Sequence, residues 1–262
     1  MVGFSSCLNS EDDGIREWGG YFEVNNTYGS VNFVDPTGIQ LVPNKTIIDA
    51  PASSALAYIN YQYKDDDMAQ IEQTKKLPVT LLQDPVYLKR LDCLTTTLPE
   101  ETKTVSIYSL GERDALVWGN NKYLILAPTI LLKKGTTSEN LSTELLNHRL
   151  TLYYLSAEGD EDANTLKLYL RYEISGIGGS STEETDDKES WASDYNVRYT
   201  NVSHVNLQPI ISMYKSTHSG SEPEKVTVEY EYNNSTSSIP TIAKKQTKPV
   251  TYNLYTETSS NN

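Results

Sequence analysis

The feature of this sequence that most constrains its fold is a regular alternation of apolar and polar residues. Between residues 226 and 232, valine or tyrosine occupies every second position, and threonine or glutamate fills the positions between them. The stretches 166–172 and 59–63 repeat the pattern. Since successive side chains of a β-strand point to opposite faces, each stretch predicts a strand with one buried and one polar face. This is typical of antiparallel sheets with one wet face, and it predicts an all-β protein.

In the stretch 166–172, the alternation predicts that Lys167, Tyr169 and Arg171 point outward. Residues 87–94 are interpreted as another strand, in which Cys93 serves as a small apolar side chain. Asp-Pro-Thr-Gly at 35–38 lies between two short apolar runs and predicts a hairpin turn. Evidence for helices is thin and is confined to two short segments, 67–76 and 138–147.

The length of 262 residues is compatible with one large or two small domains, at about 150 residues per domain. The best boundary is the polar, proline-containing segment 95–102, because strand patterns lie on both sides of it. We therefore divide the chain into an N-terminal segment at 1–16 and two strand-rich domains at 17–98 and 103–262, whose strand and turn spacing suggests a barrel or a sandwich. The segment 176–194 is interpreted as a long loop within the second domain, because strand patterns resume after it.

Charge argues against nucleic-acid binding, and hydropathy argues against a membrane-spanning segment. Acidic residues outnumber basic ones by 35 to 22, a formal charge of −13, and lysines cluster only as isolated doublets. A nucleic-acid binder is therefore not expected, because it needs a basic stripe to neutralise phosphates. The most apolar run, 123–132, is far shorter than the ~20 residues that span a bilayer.

The amino terminus suggests a lipid anchor. Cys7 follows the small residues Ser5 and Ser6, and an acidic run comes soon after it. This resembles the end of a bacterial lipoprotein signal, in which the cysteine becomes the acylated first residue. The acidic run resembles a surface-export signal and comprises Ser10, Glu11, Asp12 and Asp13. The alternative is an N-terminal tail with a stray cysteine, since such tails are common.

No motif for a metal, a cofactor or a catalytic nucleophile is found in the sequence. The three histidines, His148, His204 and His218, lack ligand spacing and are interpreted as surface or half-buried strand residues. Residues 160–164 alternate oxygen-bearing side chains like a calcium loop, but they lack its glycine and closing glutamate, which favours an acidic hairpin tip. Paired carboxylates remain an alternative, because 35 acids allow many pairs.

Tyrosine is unusually abundant, with 19 residues against three phenylalanines and three tryptophans. It suits the half-exposed faces of strands, and it is also a preferred residue of binding surfaces. The best candidate patch combines Trp191, Tyr195 and Tyr199, which could stack on a sugar ring or anchor a partner. The alternative is that these aromatic side chains fold back onto the core of their own domain.

Taken together, the sequence resembles the NigD-like lipoproteins over most of its length. The resemblance lies in the Cys7 region and in several strand-like segments: 34–43, 57–61, 87–94, 117–124, 148–152 and 166–171. It implies a leader remnant and acidic tether at 1–16, an OB-like barrel at 17–98 and an antiparallel β-sandwich at 103–262, on a lipoprotein exposed at the outer membrane of a Gram-negative bacterium. It implies little about activity, and the family's name refers to an association with bacteriocin gene clusters.

The leading hypothesis is a non-enzymatic surface lipoprotein, tethered to the membrane through Cys7, that binds an extracellular glycan or protein. Loops of the C-terminal sandwich would form the binding site. One alternative is a hydrolase that acts on glycans through paired carboxylates. Another is a structural or immunity protein whose partner is a protein.

Overall fold

The computed structural model describes residues 14–27, 29–156, 164–178, 190–235 and 239–255. The chain divides into two compact units, Met1–Arg90 and Leu91–Asn262, each with its own hydrophobic core. Both units are built mainly of strands, which confirms the predicted all-β fold. The predicted boundary at 95–102 lies just inside the second unit and stays a prediction.

The first unit contains a closed barrel of five strands. Strand order around it is β1-β2-β3-β5-β4, and β4 pairs back onto β1. The bounds of the elements are β1 Ile15–Thr27, β2 Ser30–Val34, β3 Gln40–Pro43, β4 Leu56–Lys64, α1 Asp65–Met68, α2 Ile71–Thr74, β5 Lys76–Leu81, β6 Val86–Tyr87 and β7 Lys89–Arg90. The barrel confirms the OB-like topology, in which β3 and β5 pair in parallel.

The length of β1 closes this barrel. Its first nine residues pair with β4, and its last five pair with β2. The same strand therefore joins the first and the last strand of the sheet. Gly19 lies in the middle of β1, where a Cβ atom would stand 2.3 Å from Asn60 Oδ1 and 2.8 Å from Tyr58 Oη. A larger residue there would require the ends of these two side chains to shift, because they lie close over the backbone of Gly19. Inside the barrel, the core is formed by Phe22, Phe33, Leu41, Ile59, Tyr61 and their neighbours.

The second unit contains the remaining elements. Their bounds are β8 Cys93–Leu94, a 3-10 helix Glu101–Lys103, β9 Ala115–Trp118, β10 Tyr123–Leu126, β11 Thr129–Lys133, α3 Leu141–Leu145, β12 His148–Tyr153, β13 Thr165–Ile174, a 3-10 helix Ser190–Asp194, β14 Tyr195–Thr200, β15 Ser203–Asn206, α4 Gln208–Thr217, β16 Lys225–Asn233 and β17 Lys245–Asn253.

The largest sheet of this unit has the order β17-β16-β13-β12-β8. Two of its four pairings, β13 with β16 and β8 with β12, are parallel, so the sheet is mixed. A parallel pair needs a long crossover, and residues 175–224 supply it between β13 and β16. Strands β9, β10 and β15 form a second sheet, and β11 pairs with β14.

One face of the five-stranded sheet lines the core of the second unit. Leu166, Leu168 and Leu170 of β13 are fully buried there, together with Val226 and Val228 of β16. The alternation in the sequence therefore placed the core face correctly.

The prediction that Tyr169 and Arg171 point into solvent was wrong. Both lie on the face opposite to the core, yet each is only 6% exposed. The segment after the 3-10 helix 101–103 runs beside the sheet, where Val105 N donates to Tyr172 O and Ile107 N to Glu231 O. On the polar face, the carbonyl groups of Glu101 and Thr104 accept from Lys245 Nζ, so the chain at 101–104 partly covers this face.

The strand predicted at 87–94 is broken into the short strands β6, β7 and β8. Leu88 and Leu91 are both buried although they are three residues apart, so a continuous strand would have placed them on opposite faces.

The predicted helical segments 67–76 and 138–147 contain only α1, α2 and α3, each four or five residues long. The ten-residue helix α4 was missed, although Leu207, Ile210, Ile211 and Tyr214 have helical spacing and Pro209 lies in the first turn. No helix in the described part of the chain has the length and apolarity of a membrane span.

A charged cleft on the five-stranded sheet

A chain of alternating charges crosses the polar face of the five-stranded sheet. Glu229 lies between two cations, with its Oε2 atom 3.4 Å from Lys167 Nζ and its Oε1 atom 3.1 Å from Arg171 Nη2. Glu231 continues the chain, with Oε1 at 3.9 Å from Arg171 Nε and 3.2 Å from Lys245 Nζ. The five residues come from β13, β16 and β17, so the chain ties three strands together.

Most of these five charged side chains are buried. The side chains of Arg171, Glu231 and Lys245 are 7%, 7% and 6% exposed. The guanidinium of Arg171 and the ammonium of Lys167 also lie over the Tyr169 ring, 5.5 Å and 4.9 Å from its centroid. Since burying a lone charge is costly, these groups depend on one another for their stability in the fold.

Lys245 links the charged chain to the neighbouring 3-10 helix. Its Nζ atom donates to Glu101 O at 2.7 Å, Thr104 O at 2.9 Å, Thr104 Oγ1 and Glu231 Oε1. Burial lowers the pKa of Lys245, although the charges of Glu231 and Glu101 partly oppose this effect. Three ammonium protons face four acceptors, so the protein itself occupies the donors of Lys245.

An open cleft of about 430 Å³ lies beside Lys245. Its lining is mostly polar and comprises Glu101, Glu231, Ile242, Ala243 and residues 245–247. This volume lies within the range of roughly 300–1,000 Å³ that is usual for small-molecule sites. The cleft therefore has room for one sugar unit or for a long side chain of a partner.

Glu231 contributes an unsatisfied atom beside this cleft. Its Oε2 atom is buried, and no donor in the described part of the chain lies within hydrogen-bond distance of it. A buried polar atom without a partner costs about 1–3 kcal/mol. The carboxylate of Glu231 is thus held through Oε1, while Oε2 is enclosed by the protein.

A second buried polar cluster is centred on His148. Its Nε2 atom lies 3.0 Å from Glu144 Oε1, and its Nδ1 atom lies 2.5 Å from Tyr172 Oη. Because the Glu144 carboxylate accepts, Nε2 of His148 donates in the first contact, and the Tyr172 hydroxyl pairs with Nδ1 in the second. Burial also raises the pKa of Tyr172 far above its usual value, which keeps this hydroxyl protonated.

Glu144 is the acidic partner in this cluster. Burial acts to raise the pKa of Glu144, but hydrogen bonds from His148 and from the Lys133 backbone N–H outweigh it, so the pKa is lowered. The Lys133 N–H lies 3.0 Å from Glu144 Oε1. These contacts connect α3 to β11 and β12.

The structure places the predicted aromatic patch next to this cluster. Tyr195 is 8% exposed and belongs to the core, and Trp191 and Tyr199 are partly buried against it. The rings of Trp191 and Tyr195 meet edge to face with centroids 5.7 Å apart. This packing favours the alternative in which the rings cover their own core, and a ligand-binding role for the three residues stays a prediction.

The remaining residues singled out in the sequence are distributed over the chain. His148 is a half-buried strand residue whose side chain is buried, whereas His204 is fully buried; His218 follows α4, stacked on Tyr214 with centroids 3.8 Å apart. Burial raises the pKa of the half-buried Cys93 to about 12. Within the described residues, no three histidine, cysteine or acidic side chains gather in a way that could hold a metal.

Some of the predicted residues lie outside the described ranges. These are the proposed lipid-attachment residue Cys7, the acidic run Ser10, Glu11, Asp12 and Asp13, and most of the predicted loops 160–164 and 176–194.

Sequence reasoning missed the cleft. Glu101 and Glu231 are 130 positions apart, and no local motif connects them. A partial signal existed in the charges that occupy the polar faces of β13 and β16. Using it would have required knowing that these strands pair in parallel, with Leu170 opposite Tyr230.

Comparison with known proteins relates the chain through its fold. No protein-family model matches the sequence, and no curated protein matches it significantly. A solved structure described as a "Putative lipoprotein" from Bacteroides fragilis has a TM-score of 0.68 and 22% identity, covering 92% of this chain and 99% of its own. An uncharacterized protein from Parabacteroides merdae has a TM-score of 0.52 and 14% identity, with coverages of 91% and 99%.

A NigD-like immunity protein from Bacteroides caccae also matches, with a TM-score of 0.46, 10% identity and coverages of 90% and 95%. At this level of similarity it carries no argument about family or function, and the resemblance to NigD-like lipoproteins stays a prediction. The whole-chain match to the Bacteroides fragilis structure shows that the barrel and the sheets of both units form a fold found in a solved bacterial protein.

Proposed function

We propose that this protein is a non-enzymatic surface lipoprotein of a Gram-negative bacterium that binds an extracellular glycan or protein. Its anchor would be a lipid on Cys7, and its ligand would occupy the charged cleft of the second unit. The proposal agrees with the description of the Bacteroides fragilis protein that shares the fold. The sequence analysis predicted a binding site in loops of the C-terminal domain, and the site proposed here is the cleft instead.

The observation that carries the proposal is a rigid, polar cleft whose floor is already ordered. Lys245 and Glu231 are fixed by the ion pairs and hydrogen bonds described above, so a ligand would meet groups that need little rearrangement. Preorganisation of this kind raises affinity, since less conformational freedom is lost on binding.

A binding screen with matched variants tests the cleft. The parent protein and two variants would be applied to a glycan array and to immobilised surface extract. The variants are Glu101→Gln and a control at an exposed position, Glu139→Gln. Binding that is weakened by Glu101→Gln and unchanged by Glu139→Gln supports the cleft. Ligands that bind both variants as tightly as the parent would place the binding site elsewhere.

The anchor is tested separately. Mass spectrometry of protein extracted from its native membrane should find an acylated cysteine at position 7. An unmodified Cys7, or a chain recovered wholly from the cytosol, would remove the anchor from the proposal.

A second candidate function is a glycan hydrolase that uses paired carboxylates. The observation in its favour is that two acids, Glu101 and Glu231, line the same cleft. Such an enzyme should release reducing sugar from a panel of polysaccharides, and either Glu101→Gln or Glu231→Gln should abolish turnover. Glycan binding without turnover by the parent protein would dismiss this candidate.

A further inference from the structure

The outermost strand of the five-stranded sheet turns half of its backbone groups away from the sheet. This strand, β17, pairs with β16 in an unbroken antiparallel register, in which hydrogen-bonded and non-hydrogen-bonded residue pairs alternate. Just before the strand begins, Asn234 N donates to Lys244 O at 3.2 Å. Just after it ends, Leu254 N donates to Glu224 O at 2.8 Å. Even-numbered residues on the β17 side therefore bond to β16, and odd-numbered residues direct their N–H and C=O groups to the outer edge.

Pro249 agrees with this orientation. A proline is tolerated in an edge strand where its missing N–H would face away from the neighbouring strand. Position 249 is odd-numbered and therefore faces outward, as this rule requires. The same residue limits the outer edge, because it interrupts the row of outward-facing donors after Thr247.

The cleft lies along the first part of this edge. Lys245, Gln246 and Thr247 all line it, although successive side chains of a strand point to opposite faces of the sheet. Consecutive residues border one cavity where that cavity runs along the strand edge. Among the residues that the structure describes, none forms a hydrogen bond with the outward-facing backbone groups of Lys245 or Thr247. The cleft therefore presents donors and acceptors of a strand that lacks a neighbour.

These backbone groups select the chemistry of the ligand. N–H and C=O groups that recur at every second residue are matched by another extended polypeptide, which adds to the sheet as a further strand. A second copy of β17 fits this edge poorly, because Lys244 and Lys248 are exposed and lysines on an edge strand oppose pairing with a copy of itself.

We propose that an extended segment of a protein partner lies in the cleft and pairs with the edge of β17 at Lys245 and Thr247. This inference rests on the proposed binding function and selects a protein over a glycan as the ligand. The main contacts are backbone hydrogen bonds, so the partner segment needs an extended backbone with free N–H groups at the paired positions.

The test uses nuclear magnetic resonance of the ¹⁵N-labelled protein. The probe is the peptide acetyl-Thr-Val-Thr-Val-Thr-amide, whose residues favour an extended backbone. The control is the same peptide with a methyl group on every backbone nitrogen, which removes its donors and leaves its side chains unchanged. The unmethylated peptide should shift the backbone amide signals of residues 245–247 and slow the amide exchange of Thr247, and the methylated peptide should do neither.

Two substitutions at one position locate the contact. Thr247→Pro removes the outward-facing N–H and should weaken the binding of the unmethylated peptide by about five- to tenfold, as expected for one lost hydrogen bond. Thr247→Val removes the hydroxyl but keeps the N–H, so it should bind the peptide like the parent. If Thr247→Pro fails to fold, the methylated peptide still separates backbone pairing from side-chain contacts.

Three results would overturn the inference. One is a methylated peptide that shifts the same signals as strongly as the unmethylated one. Another is peptide binding that Thr247→Pro leaves unchanged in a folded protein. The third is a dimer in analytical ultracentrifugation that Thr247→Pro abolishes, because a second copy would then occupy the edge.

A glycan titration separates this inference from the proposed function. If a glycan shifts the signals of residues 242–247 and the peptide does not, the proposed binding function stands and the choice of partner fails. If neither a glycan nor the peptide shifts these signals, the inference and the binding role of the cleft both fail.

Discussion

Arg171 is the residue on which the charged chain depends, because it lies between Glu229 and Glu231. Removing a partner from a buried ion network leaves an uncompensated charge and costs about 3–5 kcal/mol. An exposed pair, by contrast, contributes less than about 1 kcal/mol. The bidentate pair of Arg16 and Asp65, whose side chains are 48% and 46% exposed, is the natural reference.

We therefore expect Arg171→Met to destabilise the second unit by about 3–5 kcal/mol, and Arg16→Met to change the first unit by less than about 1 kcal/mol. Urea unfolding followed by tryptophan fluorescence measures both, since Trp18 reports on the first unit and Trp118 and Trp191 on the second. Equal losses from the two variants would mean that the buried chain is no stronger than a surface pair.

Glu144 gives the second unit a specific sensitivity to acid. Its pKa is lowered from the usual 4.5 in the folded state, so its stabilisation is complete above that value and is lost as the pH falls through the folded pKa. Glu144→Gln removes this contribution at neutral pH, where a hydrogen-bonded charge is worth about 1.5–3 kcal/mol.

The parent should thus lose more stability than Glu144→Gln when urea unfolding is compared at about pH 7 and about pH 3. Glu139→Gln, at an exposed position, serves as the control and should follow the parent. A variant whose loss of stability matches that of the parent would show that Glu144 does not set the acid response.

At the scale of elements, the segment after β13 supports one wall of the cleft. Gly178 has φ +86°, and a Cβ atom there would stand 2.7 Å from Thr102 O and 3.2 Å from Lys103 Cα. These are backbone atoms of the 3-10 helix 101–103, so they cannot turn aside as a side chain would. Gly176 has a similar φ of +80° but nothing within 4 Å of its Cβ position.

The comparison of the two glycines separates backbone strain from collision. Gly176→Ala should cost about 1–2 kcal/mol from its left-handed conformation alone. Gly178→Ala should lower the free energy of unfolding by more than this. It should also weaken the binding of any ligand in the cleft, because the helix that carries Glu101 has to move. Thermal unfolding and ligand titration of both variants test this, and equal costs would show that the helix yields without resistance.

Elements with regular alternation were predictable, and elements defined by irregular spacing were not. Strands β4, β13 and β16 follow from their sequences, because one buried face imposes a period of two. Residues 87–94 misled the interpretation, since Leu88 and Leu91 are buried at the breaks between short strands. Helix α4 lay between strong strand signals, and its apolar spacing was the only evidence for it.

At the scale of the whole molecule, the domain boundary predicted at 95–102 and the division observed after Arg90 lead to different expectations for proteolysis. The exposed residues 95–97 follow β8, and β8 pairs with β12 of the second unit. Limited proteolysis should cut within 95–103, yet the two fragments should remain together on a native gel and separate in urea. Fragments that separate without denaturant would show that the domain boundary lies at the cleavage site rather than at Arg90.

The sequence by itself determined the all-β class and the faces that form each core, because a strand with one buried face must alternate. The order of a barrel followed by further sheets was implied by the resemblance to NigD-like lipoproteins, since periodicity alone does not distinguish a barrel from a sandwich. Only the tertiary structure decided which strands pair, in which register and direction, and therefore which charges meet. Glu231 and Lys245 meet because β16 pairs with β17, and Glu101 joins them because its carbonyl accepts from Lys245 Nζ; no local pattern in the sequence connects Glu101 to the other two.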